Sequence, residues 1–223
     1  MRMYYFTDAM CSWCWGFSPA IKKLKENYPG IDLQIISGGF SPGSMQLITD
    51  EYRSFLEYHW RNVHARSGQP FDHSMKFATN TFRYDTEPAS RALIVIQRLL
   101  PGKDFEFLSL MQKSFYAEGK DITNDRVLVD LAEASGVNKD IFLADFHSEE
   151  MTRKTRQGFQ FSRQLGVQGF PTLLTLEFGS IKIITHGFQT YDHLKVLVDN
   201  WLENISGSQA VNGQSCSEAS CDC

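Results

Sequence analysis

Cys11-Ser12-Trp13-Cys14 is the segment of this 223-residue chain best equipped for covalent chemistry. Two thiols three residues apart come side by side when the segment opens a helix, and a disulfide can then form and break between them. The first thiol would sit where unpaired backbone N–H groups and the positive end of the helix dipole favour a thiolate. The same two residues could instead be plain buried cysteines or half of a zinc site. A C-x-x-C beside a strand–helix–strand pattern points to redox chemistry.

The remaining thiols crowd the end of the chain as Cys216, Cys221 and Cys223, and none lies between Cys14 and Cys216. No disulfide can therefore staple the body of the protein within that span. With Glu218 and Asp222 nearby, the three tail thiols offer ligands to a divalent metal such as zinc. They could equally serve as a second redox pair feeding Cys11 and Cys14, or form an inert tail. His59 and His64 are five apart and point away from each other at about 3.6 residues per turn, so they make no metal pair. No Ser–His–Asp set, phosphate-binding loop or dinucleotide fingerprint is legible.

The elements that must position these thiols follow from hydrophobic period. Met3-Tyr4-Tyr5-Phe6 reads as a buried strand, and Ile21, Leu24 and Tyr28 mark the apolar side of the following helix. A turn at Pro29-Gly30 leads to a second strand over residues 31–36, and Gly38-Gly39-Phe40-Ser41-Pro42-Gly43 breaks the pattern. Helical periodicity then runs to about Leu165. Its first segment is predicted from Met45 to His64, with Leu47, Ile48, Phe55 and Leu56 buried. Its later helices start near Thr86, Phe105, Asn124, Asn138 and Ser148. Residues 172–176 and 181–185 read as a hairpin, followed by a helix from Tyr191 to Ile205 and a polar, disordered tail.

The fold class is therefore α/β: strand–helix–strand, a helical block, then hairpin–helix. The expected division is residues 1–42 with 166–205 as one unit, 43–165 as an inserted helical domain, and 206–223 as a flexible tail. The helical block should form a lid beside the C-x-x-C turn. A net charge of −4 gives the chain no general attraction to nucleic acid, and no apolar run is long enough for a bilayer. Met1-Arg2-Met3 runs directly into the first strand and leaves no room for a secretory signal, so a reducing cytoplasm is the expected location.

With these residues in hand, the chain resembles DsbA-family thioredoxin-fold proteins of the FrnE-like branch from residue 3 to about 205. The resemblance rests on Asp8-Ala9-Met10-Cys11-Ser12-Trp13-Cys14-Trp15-Gly16-Phe17, the helical insertion, and Val167-Gln168-Gly169-Phe170-Pro171-Thr172. Glu87-Pro88-Ala89-Ser90-Arg91-Ala92 resembles an insertion helix of this branch.

The resemblance implies thiol–disulfide exchange, with Cys11 as exposed nucleophile and Cys14 as buried resolving thiol. It also implies a cis Phe170–Pro171 bond, with substrate held by Ser12, Trp13, Phe170 and Pro171. Partners would be disulfide or dithiol proteins and peptides, together with a thiol electron donor or acceptor. No cofactor beyond the redox-active disulfide is required, with glutathione or a tail metal as additions. Ser12 departs from the proline common at that position among relatives, which bears on redox potential. Asp8 is placed to tune Cys11, to cap the turn, or as a solvated strand-end carboxylate, and Trp15 and Phe17 read as core. A glutathione-dependent isomerase or transferase of the same fold is the competing reading; it commonly carries serine at the nucleophile, whereas this chain keeps both cysteines.

Overall fold

The computed structural model describes residues 1–79, 81–177 and 179–213. β1 (Arg2–Thr7) leads through a short turn into α1 (Ser12–Asn27), and β2 (Asp32–Ser37) returns parallel to β1, Tyr5 opposite Ile35. Six helices follow: α2 (Asp50–Ser67), α3 (Glu87–Leu99), α4 (Asp104–Tyr116), α5 (Asp125–Ala134), α6 (Lys139–Phe146) and α7 (Glu149–Gln164). β3 (Thr172–Glu177), β4 (Ser180–His186) and α8 (Tyr191–Gly213) complete the described chain. β3 runs antiparallel to β1 with Leu173 opposite Tyr5, which gives the order β2-β1-β3-β4. β1 is thus a central strand, and its unbroken apolar run follows from burial on both faces.

The predicted elements are present with shifted ends. Asn124, Asn138 and Ser148 cap α5, α6 and α7 through their side chains, as their types and positions predict. The first inserted helix starts at Asp50 rather than Met45. Thr49 accepts from the Tyr52 N–H as its cap, and the preceding residues are extended, with Leu47 bridged to Arg83. Ile48 and Leu56 are buried as expected, but Leu47 and Phe55 are half exposed. Thr86 caps α3 by position only, because its hydroxyl accepts from the Ser41 N–H instead. The last helix continues to Gly213, past the predicted stop at Ile205, since polar residues without proline do not interrupt the i→i−4 ladder. Cys216, Cys221 and Cys223 lie outside the described residues.

One apolar cluster runs from the sheet (Met3, Tyr5, Leu173) into the helical segment (Trp60, Phe115, Phe142). Its aromatic part fixes α1. Trp15 stacks on Tyr116 with ring centres 6.5 Å apart, and Trp60 meets Tyr116 at 5.1 Å edge-on. Gly16 allows α2 to approach, because a Cβ there would lie 2.8 Å from Val63 Cγ1. Pro19 cannot donate to the Trp15 carbonyl, so Ser18 Oγ (2.8 Å) and Gln69 Nε2 (3.1 Å) donate to it instead. The loop after α2 is pinned to α1 by that exchange.

Candidate active site

Cys11 is the N-cap of α1, with extended backbone and no side-chain capping bond, so its sulfur is not engaged by the helix. Its carbonyl accepts from the N–H groups of Cys14 (3.0 Å) and Trp15 (3.1 Å), which starts the helix and stacks the second thiol behind the first. The two thiols are reduced and face each other directly. Cys14 is fully buried as expected, but Cys11, expected to be exposed, is itself buried at 5 % exposure, because the loop before β3 covers it. Burial pushes the Cys14 thiol well above the usual range, while the Thr7 hydroxyl and the Asp8 backbone N–H favour its thiolate.

The loop before β3 crosses in front of Cys11. The Phe170–Pro171 bond is cis, and the Phe170 carbonyl accepts from Cys11 Sγ at 3.5 Å. Phe170 is held because its ring lies on the Gly38 backbone: a Cβ on Gly38 would sit 2.0 Å from the ring. Gly38 is in turn tied to the β1 end, donating to the Thr7 carbonyl at 2.8 Å. The glycine pair that reads as a turn in the sequence therefore seats the loop opposite the thiols.

Asp8 is buried, which excludes the solvated strand-end alternative. Its two oxygens accept from the N–H groups of Met10 and Phe40, both at 2.8 Å, and its carbonyl accepts from the Cys11 N–H. Burial raises its carboxyl to about 6 despite these bonds. Tyr84 closes the turn from the helical segment by donating to the Met10 carbonyl at 2.6 Å. Ser12, Trp13 and Phe170 are half buried at the rim, Pro171 is buried, and Trp15 and Phe17 belong to the core as predicted.

Sequence reasoning missed Tyr84, Thr7, Tyr5 and Arg66. The Arg66 guanidinium, from the end of α2, lies over the Trp13 ring at 5.2 Å and the Phe188 ring at 5.5 Å. No local pattern announces these residues, because each acts across a fold-level contact. Among the described residues, no three His, Cys, Asp or Glu side chains gather into a metal site, and no helix is long and apolar enough to cross a membrane.

This arrangement has known counterparts. The family model described as Thioredoxin matches residues 4–196. A candidate protein disulfide isomerase from Nitrosomonas europaea superimposes with a TM-score of 0.84 at 33% identity, over 91% of this chain and 98% of that one. The cytosolic disulfide reductase DsbM from Pseudomonas aeruginosa shares the fold, with a TM-score of 0.74 at 22% identity over 91% and 99%. In sequence, the ClpXP adapter protein SpxH of Bacillus subtilis is 28% identical over 176 residues. That match covers 78% of this chain, and the chain spans only 57% of that relative's length.

Proposed function

The chain belongs to the thioredoxin family, in its DsbA-like form, and on that premise we propose that it is a thiol–disulfide oxidoreductase acting on protein or peptide disulfides. The observation that carries the reading is Cys11 at the head of α1, facing the Phe170 carbonyl with Cys14 directly behind it. A negative charge on the Cys11 sulfur would face the positive end of the α1 dipole. Cys11 thiolate attacks a substrate disulfide, forming a mixed disulfide and releasing one substrate thiolate. Cys14, having lost its proton, attacks the Cys11 sulfur, closing the Cys11–Cys14 disulfide and releasing the second thiolate. Two electrons pass from the dithiol to the substrate, whose thiolates take up protons. An external thiol restores the pair.

Ser12, Trp13, Phe170 and Pro171 are assigned to hold the substrate, its backbone pairing with Phe170. No cofactor beyond the dithiol is invoked, and the location assigned is a reducing cytoplasm. The tail thiols Cys216, Cys221 and Cys223 remain assigned to a metal or a second redox pair. The direct test is insulin reduction by the wild type, Cys11→Ser and Cys14→Ser. Cys11→Ser should lose the activity, and Cys14→Ser should accumulate mixed disulfides that a thiol releases. A Cys11→Ser protein reducing insulin at the wild-type rate would falsify the assignment.

An adapter role is a second reading, supported by the match to SpxH. It predicts that a protein lacking both Cys11 and Cys14 still delivers a bound client to a protease. The exchange reading predicts no such retained function.

A further inference from the structure

A cavity lies on the flank of α1 that faces α4, with a volume of about 590 Å³. Ser18, one helical turn after Cys14, borders it, as do Tyr5 from β1 and Gln112 from α4. Ile21, Phe105 and Leu108 supply apolar walls. Volumes of 300–1,000 Å³ lined by apolar groups with a few polar ones are typical of small-molecule sites.

One polar group of the lining is not spent on the fold. Gln112 is fully buried, yet neither its amide nitrogen nor its carbonyl oxygen has a hydrogen-bond partner. The Tyr5 hydroxyl is also buried, but it lies against Thr7 and Cys14 and is not a free group. A buried primary amide left unpaired is costly, and a leucine in its place would cost nothing of the kind. Leu108 and Met111, the neighbours of Gln112 within α4, are apolar and buried in the core. Packing alone does not account for an amide here.

The rim narrows the ligand. Lys22 and Lys25 stand against Glu26 and Glu106, so the mouth carries both signs and selects no net charge. Lys25 already lies 4.4 Å over the Phe105 ring, and Glu106 is paired with Lys103. An amide side chain presents one donor and one acceptor side by side, and its complement is a group with an adjacent N–H and C=O.

We propose that this cavity binds a small neutral molecule with an apolar body and an amide-like edge, that edge pairing with Gln112. The ligand class includes carboxamides, lactams and the amide edge of a heterocyclic base. The site is separate from the Cys11 face and does not depend on disulfide exchange.

Benzamide is the probe, with toluene as the apolar control of similar size, and binding to the full chain is read by calorimetry and by melting temperature. Benzamide should bind saturably and at least tenfold more tightly than toluene. Gln112→Leu should weaken benzamide at least tenfold while leaving toluene within twofold, and should melt no lower than the wild type. Ser109→Trp, which changes an exposed residue at the mouth, should abolish both. Cys11→Ser should bind benzamide as the wild type does, which keeps this result distinct from any failure of the exchange reading. Benzamide binding no better than toluene, or undiminished in Gln112→Leu, would overturn the proposal.

Discussion

The two flanks of α1 treat their polar groups in opposite ways. On the flank that meets Phe170, nearly every buried polar atom is used. Asp8 holds two N–H groups, and Tyr84 holds the Met10 carbonyl. On the flank that meets α4, both polar atoms of Gln112 are buried without partners. A satisfied network fixes a geometry, whereas unpaired groups cost stability until something engages them. One flank sets where Cys11 sits. The other leaves the Gln112 amide free to respond when a ligand arrives.

The largest break in this contrast should come from Gly38→Ala. Its new Cβ would meet the Phe170 ring at 2.0 Å, so the loop in front of Cys11 must move. Overpacking of this kind costs about 1–3 kcal/mol. Displacing a reacting group by about 1 Å can cost roughly 10²-fold in rate. Insulin reduction should therefore fall far more than stability does, as measured against urea midpoints. Equal losses in both would mean that the loop carries packing and no positioning.

Asp8 sharpens the comparison through pH. Its folded carboxyl, at about 6, lies above the ordinary 3.8, so folding favours its protonated form. Between those values the native state binds more protons than the unfolded chain, and stability falls as pH rises. The contribution is fully present below about pH 4 and lost above about pH 6, on the order of 2–3 kcal/mol for a shift near two units. Asp8→Asn should flatten this slope, leaving a smaller remainder from Glu87, whose half-buried carboxyl is also raised by burial. Urea midpoints at pH 4.5 and 7.5 decide it, and an identical slope in the variant would show that Asp8 is solvated.

Much of this was readable in advance, and the failures share one cause. β1, α1 and the helix caps are written locally, in apolar runs and in single residues such as Asn124, Asn138 and Ser148. The C-x-x-C turn and the Phe170-Pro171 segment were legible through their motifs, which lie 159 residues apart at the contact itself. The burial of Asp8 was not legible, because the Phe40 N–H that explains it arrives from 32 residues downstream. Leu47 and Phe55 fit a helical stripe but face outward, since Ile48 is drawn against Phe82 and only Thr49 onward can wind. Periodicity gives the element; it does not say which neighbour covers which side.

Behind Cys11, Thr7→Val removes the hydroxyl that favours the Cys14 thiolate. A hydrogen bond to a charged group contributes about 1.5–3 kcal/mol, so the resolving step should slow about tenfold or more. Mixed disulfides should accumulate in rapid-quench samples, and the pH at which they resolve should move upward. Alkylation of Cys11 by iodoacetamide should keep its wild-type rate, because Thr7 acts on the rear thiol. Parallel losses at both thiols would place Thr7 in the packing of the turn.

The smallest effect belongs to Arg66, which touches the rim from α2 without entering the network around Asp8. Its guanidinium is exposed and stacked on Trp13 and Phe188, an arrangement worth about 0.5–1 kcal/mol at exposed sites. Arg66→Ala should therefore leave melting temperature within the error of a surface change. For a disulfide peptide with an acidic residue beside its cysteine, KM should rise about two- to fivefold with kcat held. Arg66→Lys keeps the charge but loses the planar stack, and should recover only part of that loss. Recovery in full would assign the effect to charge alone, and none at all would assign it to the covering of Trp13.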